Sequence, residues 1–187
     1  MKRTFIAIRI ITGINFEELL SDLKSELKDE SVRWVDPGNM HLTIAFLGDT
    51  ADDILKRVSS MLISRCGDFG EFEFAVTGLG VFRNPDDPRV IWAGIEKNER
   101  FMELFQLISS GLYELGIKTE QRQFKPHLTI GRVRSLKNND KLKALLKKYE
   151  GKTFQKANVS EIVYYESILQ QTGPLYIPIL AVELRSH

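Results

Sequence analysis

Two of the three histidines in this 187-residue chain, His41 and His127, stand in identical tetrads, His-Leu-Thr-Ile, each followed by a tiny residue, Ala45 or Gly131. An imidazole titrates near neutral pH and can give or take a proton. A threonine hydroxyl can donate to a phosphoryl oxygen. Side chains alternate along a strand, so His41, Thr43 and Ala45 are expected on one face, with Leu42, Ile44 and Phe46 on the other. The same alternation sets His127, Thr129 and Gly131 against Leu128, Ile130 and Arg132, and so points Arg132 away from His127 into a structural ion pair. With the two strands side by side, the imidazoles would flank one phosphate. One would take a proton from the nucleophile and the other would protonate the leaving oxygen, each transfer worth ~10²–10⁴-fold. Fixed donors would add stabilisation of the transition-state charge, and Ala45 and Gly131 would leave room for the phosphate and its sugar.

A lone histidine on a strand is most often a hydrogen-bonded core residue. Two exact copies that use both internal histidines of the chain argue for chemistry instead; the third, His187, is the terminal residue and is expected to be mobile. No HExxH, cysteine cluster or acidic pair accompanies either tetrad, so no metal centre is expected. No nucleotide-binding loop or other cofactor motif is present. The single cysteine, Cys66, excludes an internal disulfide and reads as a buried apolar side chain.

Three residues ahead of the second tetrad form a lesser group. Arg122 and Lys125 suit phosphate, and Phe124 suits base stacking, although Phe124 suits a core equally well. Trp34 reads either as a stacking surface or as a half-buried aromatic. The net charge of +1 conceals an asymmetry: residues 117–156 hold twelve Lys or Arg against three acids, a balance of +9, and the rest of the chain carries −8. Such a basic excess suits an anionic partner such as RNA. The lysines from Lys141 to Lys148 are better read as the solvated face of a helix.

The elements that must position the tetrads can be read from periodicity. Residues 4–10 form a β-branched strand. Phe16, Leu19, Leu20, Leu23 and Leu27 then mark a helix that Asn15 is expected to cap. Residues 32–35 form a short strand before turn chemistry at Asp36-Pro37-Gly38-Asn39. A second helix is expected over 51–65 with Asp49 or Thr50 near its cap, then a hairpin of 72–82 and 89–95 across two prolines. Residues 101–115 form a helix ended by Gly116, and 141–149 a shorter one. Stretches 153–169 and 175–184 supply the last strands. The tetrads are 86 residues apart, each on a strand that opens after a proline-containing turn and leads to a helix. We infer a pseudo-repeat in an α+β chain whose sheets are largely antiparallel, with helices outside.

At 43% hydrophobic, 187 residues suit one domain, 1–187, of two similar lobes centred on 41–44 and 127–130. No apolar stretch approaches the roughly 20 residues of a membrane span, and no secretory signal opens the chain, so a cytoplasmic protein is expected.

The two motifs are similar to those of the 2H phosphoesterases. More closely, the chain resembles the RNA 2′,3′-cyclic phosphodiesterases, also called 2′-5′ RNA ligases. The likeness runs through residues 3–8, Arg33-Trp34-Val35, residues 39–48, 78–82 and 89–94, and Phe124-Lys-Pro-His-Leu-Thr-Ile-Gly-Arg132. Arg9 and Ile11 depart from the acid and proline common in that family. The resemblance implies a bilobal α+β fold with a cleft between pseudo-symmetric lobes. It also implies hydrolysis of 2′,3′-cyclic phosphate ends of RNA, tRNA fragments among them, to 2′-phosphomonoesters. His41 would be the proton donor to O3′ and His127 the proton acceptor that activates water, with Thr43 and Thr129 on the phosphoryl oxygens. The near-symmetric tetrads do not themselves separate the two roles. Ligation would be reversal of the same chemistry, no cofactor or protein partner is implied, and a monomer is expected. A phosphodiesterase for a small cyclic nucleotide and a non-catalytic RNA-binding module are the competing readings.

Overall fold

The computed structural model describes residues 1–118, 125–171 and 173–186. The described chain runs β1 (Lys2–Arg9), α1 (Ile14–Glu26), β2 (Ser31–Trp34), a 3₁₀ turn (Pro37–Asn39), β3 (His41–Thr50), α2 (Asp52–Cys66), β4 (Phe72–Phe82) and β5 (Val90–Ile95). It continues with α3 (Glu99–Glu114), β6 (His127–Ser135), α4 (Asn139–Lys148), β7 (Thr153–Val159), β8 (Glu161–Leu169) and β9 (Pro174–Glu183). Among the described residues the strands join one sheet in the order β7-β4-β5-β6-β3-β1-β8-β9, with β2 also beside β6. Every pairing between these strands is antiparallel.

That order is symmetric about the β6–β3 seam. Each tetrad strand has an antiparallel neighbour on its outer side, β1 for β3 and β5 for β6, followed by a further antiparallel pair, β8–β9 on one side and β4–β7 on the other. The strands meet at Leu42 opposite Leu128. The expected α+β, bilobal architecture is present, with the lobes sharing a continuous sheet. β2 and β3 both run antiparallel to β6, like one strand interrupted by the 3₁₀ turn. Asp36 caps that turn by accepting the Gly38 N–H at 2.8 Å.

Helices cover the apolar face because their buried positions recur at helical spacing: Phe16, Leu19, Leu20 and Leu23 on α1; Val58, Met61, Leu62 and Cys66 on α2. Phe101, Leu104, Ile108 and Leu112 do the same on α3, and Leu142 and Leu145 on α4. Each fully buried Leu, Ile or Phe contributes about 1.5–3 kcal/mol. Asn98 and Asn138 cap α3 and α4 through their side chains, each cap worth about 1 kcal/mol.

Two capping expectations need correction. Helix α1 starts one residue before Asn15, with Gly13 at the cap position, because the Gly13 N–H is held at 2.7 Å by Gln155 Oε1. Ala51 precedes α2, since Asp49 and Thr50 still belong to β3 and the Thr50 hydroxyl is buried against Thr4. Cys66 is buried, as expected, and burial pushes its thiol up to about 11. No helix among the described residues is long and apolar enough to cross a membrane.

Candidate active site

β3 and β6 open on the two histidines. Both rings are half-buried, and each Nδ1 lies 2.7 Å from the carbonyl oxygen two residues before it, Asn39 for His41 and Lys125 for His127. A carbonyl can only accept, so each Nδ1 carries the proton and donates. The neutral tautomer is thereby set, and Nε2 is the nitrogen left for proton transfer in both rings. The antiparallel seam with Leu42 opposite Leu128 puts each histidine directly across from the threonine of the other tetrad, His41 from Thr129 and His127 from Thr43, and sets the two histidines on a diagonal. His41, Thr43, His127 and Thr129 therefore share the concave face, as expected.

Aromatic rings set the imidazole planes. His41 packs on Phe5 at 5.0 Å between ring centroids and meets Tyr176 edge-on at 5.0 Å. His127 meets Phe82 edge-on at 4.6 Å and Trp92 at 6.5 Å. Sequence reasoning assigns none of these four a place beside the histidines. Burial is the main force lowering both imidazole pKa values from the ordinary range. The backbone carbonyl opposes it in each case, and the Arg132 charge reinforces it; His41 also feels the charged form of His127.

The faces beyond the tetrads are not those expected from alternation. Ile6 lies opposite Ala45 but Ala7 opposite Thr43, so Ile44 is an extra residue in β3. Ile91 lies opposite Gly131 but Trp92 opposite Thr129, which makes Ile130 the equivalent extra residue in β6. A bulge of this kind reverses every later side chain. Ala45 is consequently buried with Ile44, and a methyl group at Gly131 would stand 2.9 Å from Val32 and 3.1 Å from Trp34. Neither small residue lines the cleft. Trp34 is a half-buried aromatic packed against the core.

Phe46 and Arg132, each five residues after a histidine, emerge instead on the histidine face. Phe46 is 63% exposed beside Phe5. Arg132 is exposed, makes no ion pair among the described residues, and its charge is felt by His41, His127 and Tyr176. The expected structural ion pair is therefore absent among the described residues. The shared position after equivalent bulges is the signal that links these two residues.

Of the lesser group, Lys125 contributes its carbonyl to His127, and its side chain is exposed. Arg122 and Phe124, like His187, lie outside the described residues. Lys141, Lys143 and Lys148 pair with Asp29, Asp86 and Asp22, in keeping with a solvated helix face.

The family model of the LigT-like phosphoesterases matches residues 13–92 and 94–176. An RNA 2′,3′-cyclic phosphodiesterase of Methanothermobacter thermautotrophicus is 33% identical over 176 residues, which span 93% of this chain and 94% of the relative. One of Thermotoga maritima is 34% identical over 176 residues, spanning 93% and 91%. Among solved structures, Escherichia coli LigT complexed with 3′-AMP has a TM-score of 0.75 at 22% identity, with 98% of each chain covered. A Thermus thermophilus protein reaches 0.79 at 23% identity, with 98% of each covered. These two likenesses establish the shared fold.

Proposed function

Since the chain belongs to the LigT-like phosphoesterase family, we propose that it hydrolyses 2′,3′-cyclic phosphate ends of RNA to 2′-phosphomonoesters, with His41 and His127 as acid and base. The observation that carries this reading is the paired geometry: two imidazoles, each with Nδ1–H tied to a backbone carbonyl, present Nε2 on one concave face. Curated relatives that match nearly the whole chain are named for this activity.

In the proposed reaction water attacks phosphorus as His127 Nε2 takes its proton. The P–O3′ bond breaks as protonated His41 Nε2 delivers a proton to O3′. Thr43 and Thr129 donate to the non-bridging oxygens, whose charge grows in the transition state. A 5′-hydroxyl in place of water would yield a 2′-5′ linkage through the same two transfers. Burial keeps both rings inclined to the neutral form in the free protein. The incoming phosphodiester anion favours an imidazolium beside it and so helps to load the acid. All four groups come from one chain, so the proposed site is complete in a monomer.

The test is incubation of wild type, His41→Ala and His127→Ala with a 2′,3′-cyclic-phosphate oligonucleotide in excess chelator, with the product identified by phosphorus NMR. Turnover to a 2′-phosphate, lowered by ~10²–10⁴-fold in each variant, is the expected result. Absence of wild-type turnover would leave an RNA-binding module, inhibition by chelator would end the metal-free scheme, and a 3′-phosphate product would reverse the leaving group.

A further inference from the structure

Each imidazole is met edge-on by a ring from a strand further out in the sheet, Tyr176 of β9 for His41 and Phe82 of β4 for His127. The tetrads are identical, yet these two partners differ by a hydroxyl. Tyr176 is fixed where it stands: it pairs with Ser167 in the β8–β9 ladder, meets Phe5 edge-on at 5.0 Å and lies 6.2 Å from Tyr165. The hairpin that carries it reaches across to the other lobe, since a methyl group at Gly173, in its turn, would stand 2.9 Å from Arg33 Nη2. Tyr176 therefore overhangs the histidine face, and its phenol senses Arg132 of β6 as well as Arg3 of β1. Packing leaves the hydroxyl unspent. It makes no hydrogen bond among the described residues, whereas the Tyr164 and Tyr149 hydroxyls bond with Thr4 and Asp22. Nor is it sealed from solvent, because Trp92 Nε1 is the one buried side-chain N or O atom without a partner among the described residues. Burial raises the phenol pKa and the two arginines oppose the rise, so at neutral pH the group is protonated and can donate. A donor beside the acid suits the oxygen that gains charge as its bond to phosphorus breaks.

We propose that Tyr176 is a further catalytic residue, whose hydroxyl donates a hydrogen bond to O3′ and stabilises the charge that gathers there as the P–O3′ bond breaks. This rests on the proposed reaction with His41 as the acid. The proton that ends on O3′ still comes from His41 Nε2; the phenol keeps its own, so no extra proton enters the balance. O3′ then has two donors, the imidazolium and the phenol, whereas the attacking water on the His127 side meets a phenyl ring. The hydroxyl thereby distinguishes the two ends of the displacement, which the tetrads alone do not, and marks the His41 side for departure.

The experiment measures kcat and KM on two substrates, an oligonucleotide ending in a 2′,3′-cyclic phosphate and its analogue with sulfur at the 3′ bridging position, in wild type, Tyr176→Phe and His41→Ala. Sulfur leaves as a thiolate, which needs neither a proton nor a strong hydrogen bond. Tyr176→Phe keeps the ring and its packing, and thermal unfolding confirms that it folds. On the oxygen substrate it is expected to lower kcat about 10- to 100-fold, the range of a hydrogen bond to a charged group, with KM nearly unchanged. On the sulfur substrate it should match the wild type, and His41→Ala should recover there too. A Tyr176→Phe variant as fast as wild type on the oxygen substrate leaves Tyr176 a packing role and overturns the proposal. An equal loss on both substrates moves the hydroxyl to a non-bridging oxygen and overturns it as well, as does a wild type that cleaves the oxygen substrate alone. In these three cases the reaction at the histidines still stands. Recovery of Tyr176→Phe without recovery of His41→Ala supports the hydroxyl at O3′ and overturns His41 as the acid. A wild type inactive on both substrates overturns the reaction, and the proposal with it.

Discussion

Leu42 faces Leu128 at the seam where the two histidine strands meet, and both side chains are fully buried. Each is the residue directly after a histidine, so the packing of this pair positions both imidazoles at once. Leu128→Ala is expected to cost about 2–5 kcal/mol of stability through the missing side chain and the cavity left behind. Denaturant unfolding measures that cost. At temperatures where the variant stays folded, kcat should fall more than KM rises, because the histidines lose their relative placement.

Gly80 supports His127 at one remove. The Trp92 indole lies so close that a methyl group at Gly80 would stand 2.2 Å from its Cζ2, and the same ring lies beside His127. Gly80→Ala must push the indole towards the imidazole. The expected cost is about 1–3 kcal/mol for overpacking, with a fall in kcat that Thr77→Ala, elsewhere on β4, does not share. Thermal unfolding and steady-state kinetics on both variants check this.

Phe46 offers an open ring on the histidine face. Phe46→Ala is expected to weaken binding of the RNA end by about 1–3 kcal/mol, the range of base–aromatic stacking. Stability should change by less than about 0.5 kcal/mol, since the side chain is largely in solvent. A raised KM with near-constant kcat is the signature, and Phe46→Tyr should retain the wild-type value.

The pH dependence follows from the lowered imidazole pKa values. One ring must be charged and the other neutral: below the lower pKa the base is protonated, and above the upper one the acid is lost. The bell of kcat/KM is therefore expected to centre on the acid side of about 6.5, the ordinary histidine value. Arg132→Gln removes a charge that lowers both pKa values, so its profile should move towards higher pH. A rate that climbs monotonically into alkali contradicts the scheme.

Most of what the site needs is legible in residue types: the tetrads, the strands that carry them, the turn before the first, and the apolar stripes of all four helices. The misplaced residues have one physical source. Alternation is a property of a regular strand, and the extra residues Ile44 and Ile130 become visible only against the ladders of β1 and β5. Nothing local to His-Leu-Thr-Ile announces a bulge, so strict alternation sends Phe46 and Arg132 to the core face and Ala45 and Gly131 to the cleft. The aromatic neighbours are hidden for a similar reason, because Phe5, Phe82, Trp92 and Tyr176 come from four strands joined only by the sheet order. Asn15 fails as a cap because a tertiary interaction, Gln155 with the Gly13 N–H, decides where α1 begins.

The matching carbonyl anchors on the two imidazoles bear on what happens between turnovers. In the proposed reaction the acid ends without its proton and the base ends with an extra one, so the product complex is the mirror image of the starting charge state. Total charge on the pair is conserved, yet its location is inverted. The cycle closes only when a proton leaves one ring and another reaches its twin, and the partial exposure of both rings leaves solvent a route for that exchange. Resetting is thus a step with its own rate, and a buffer able to carry protons is expected to speed turnover wherever that step is slower than the chemistry.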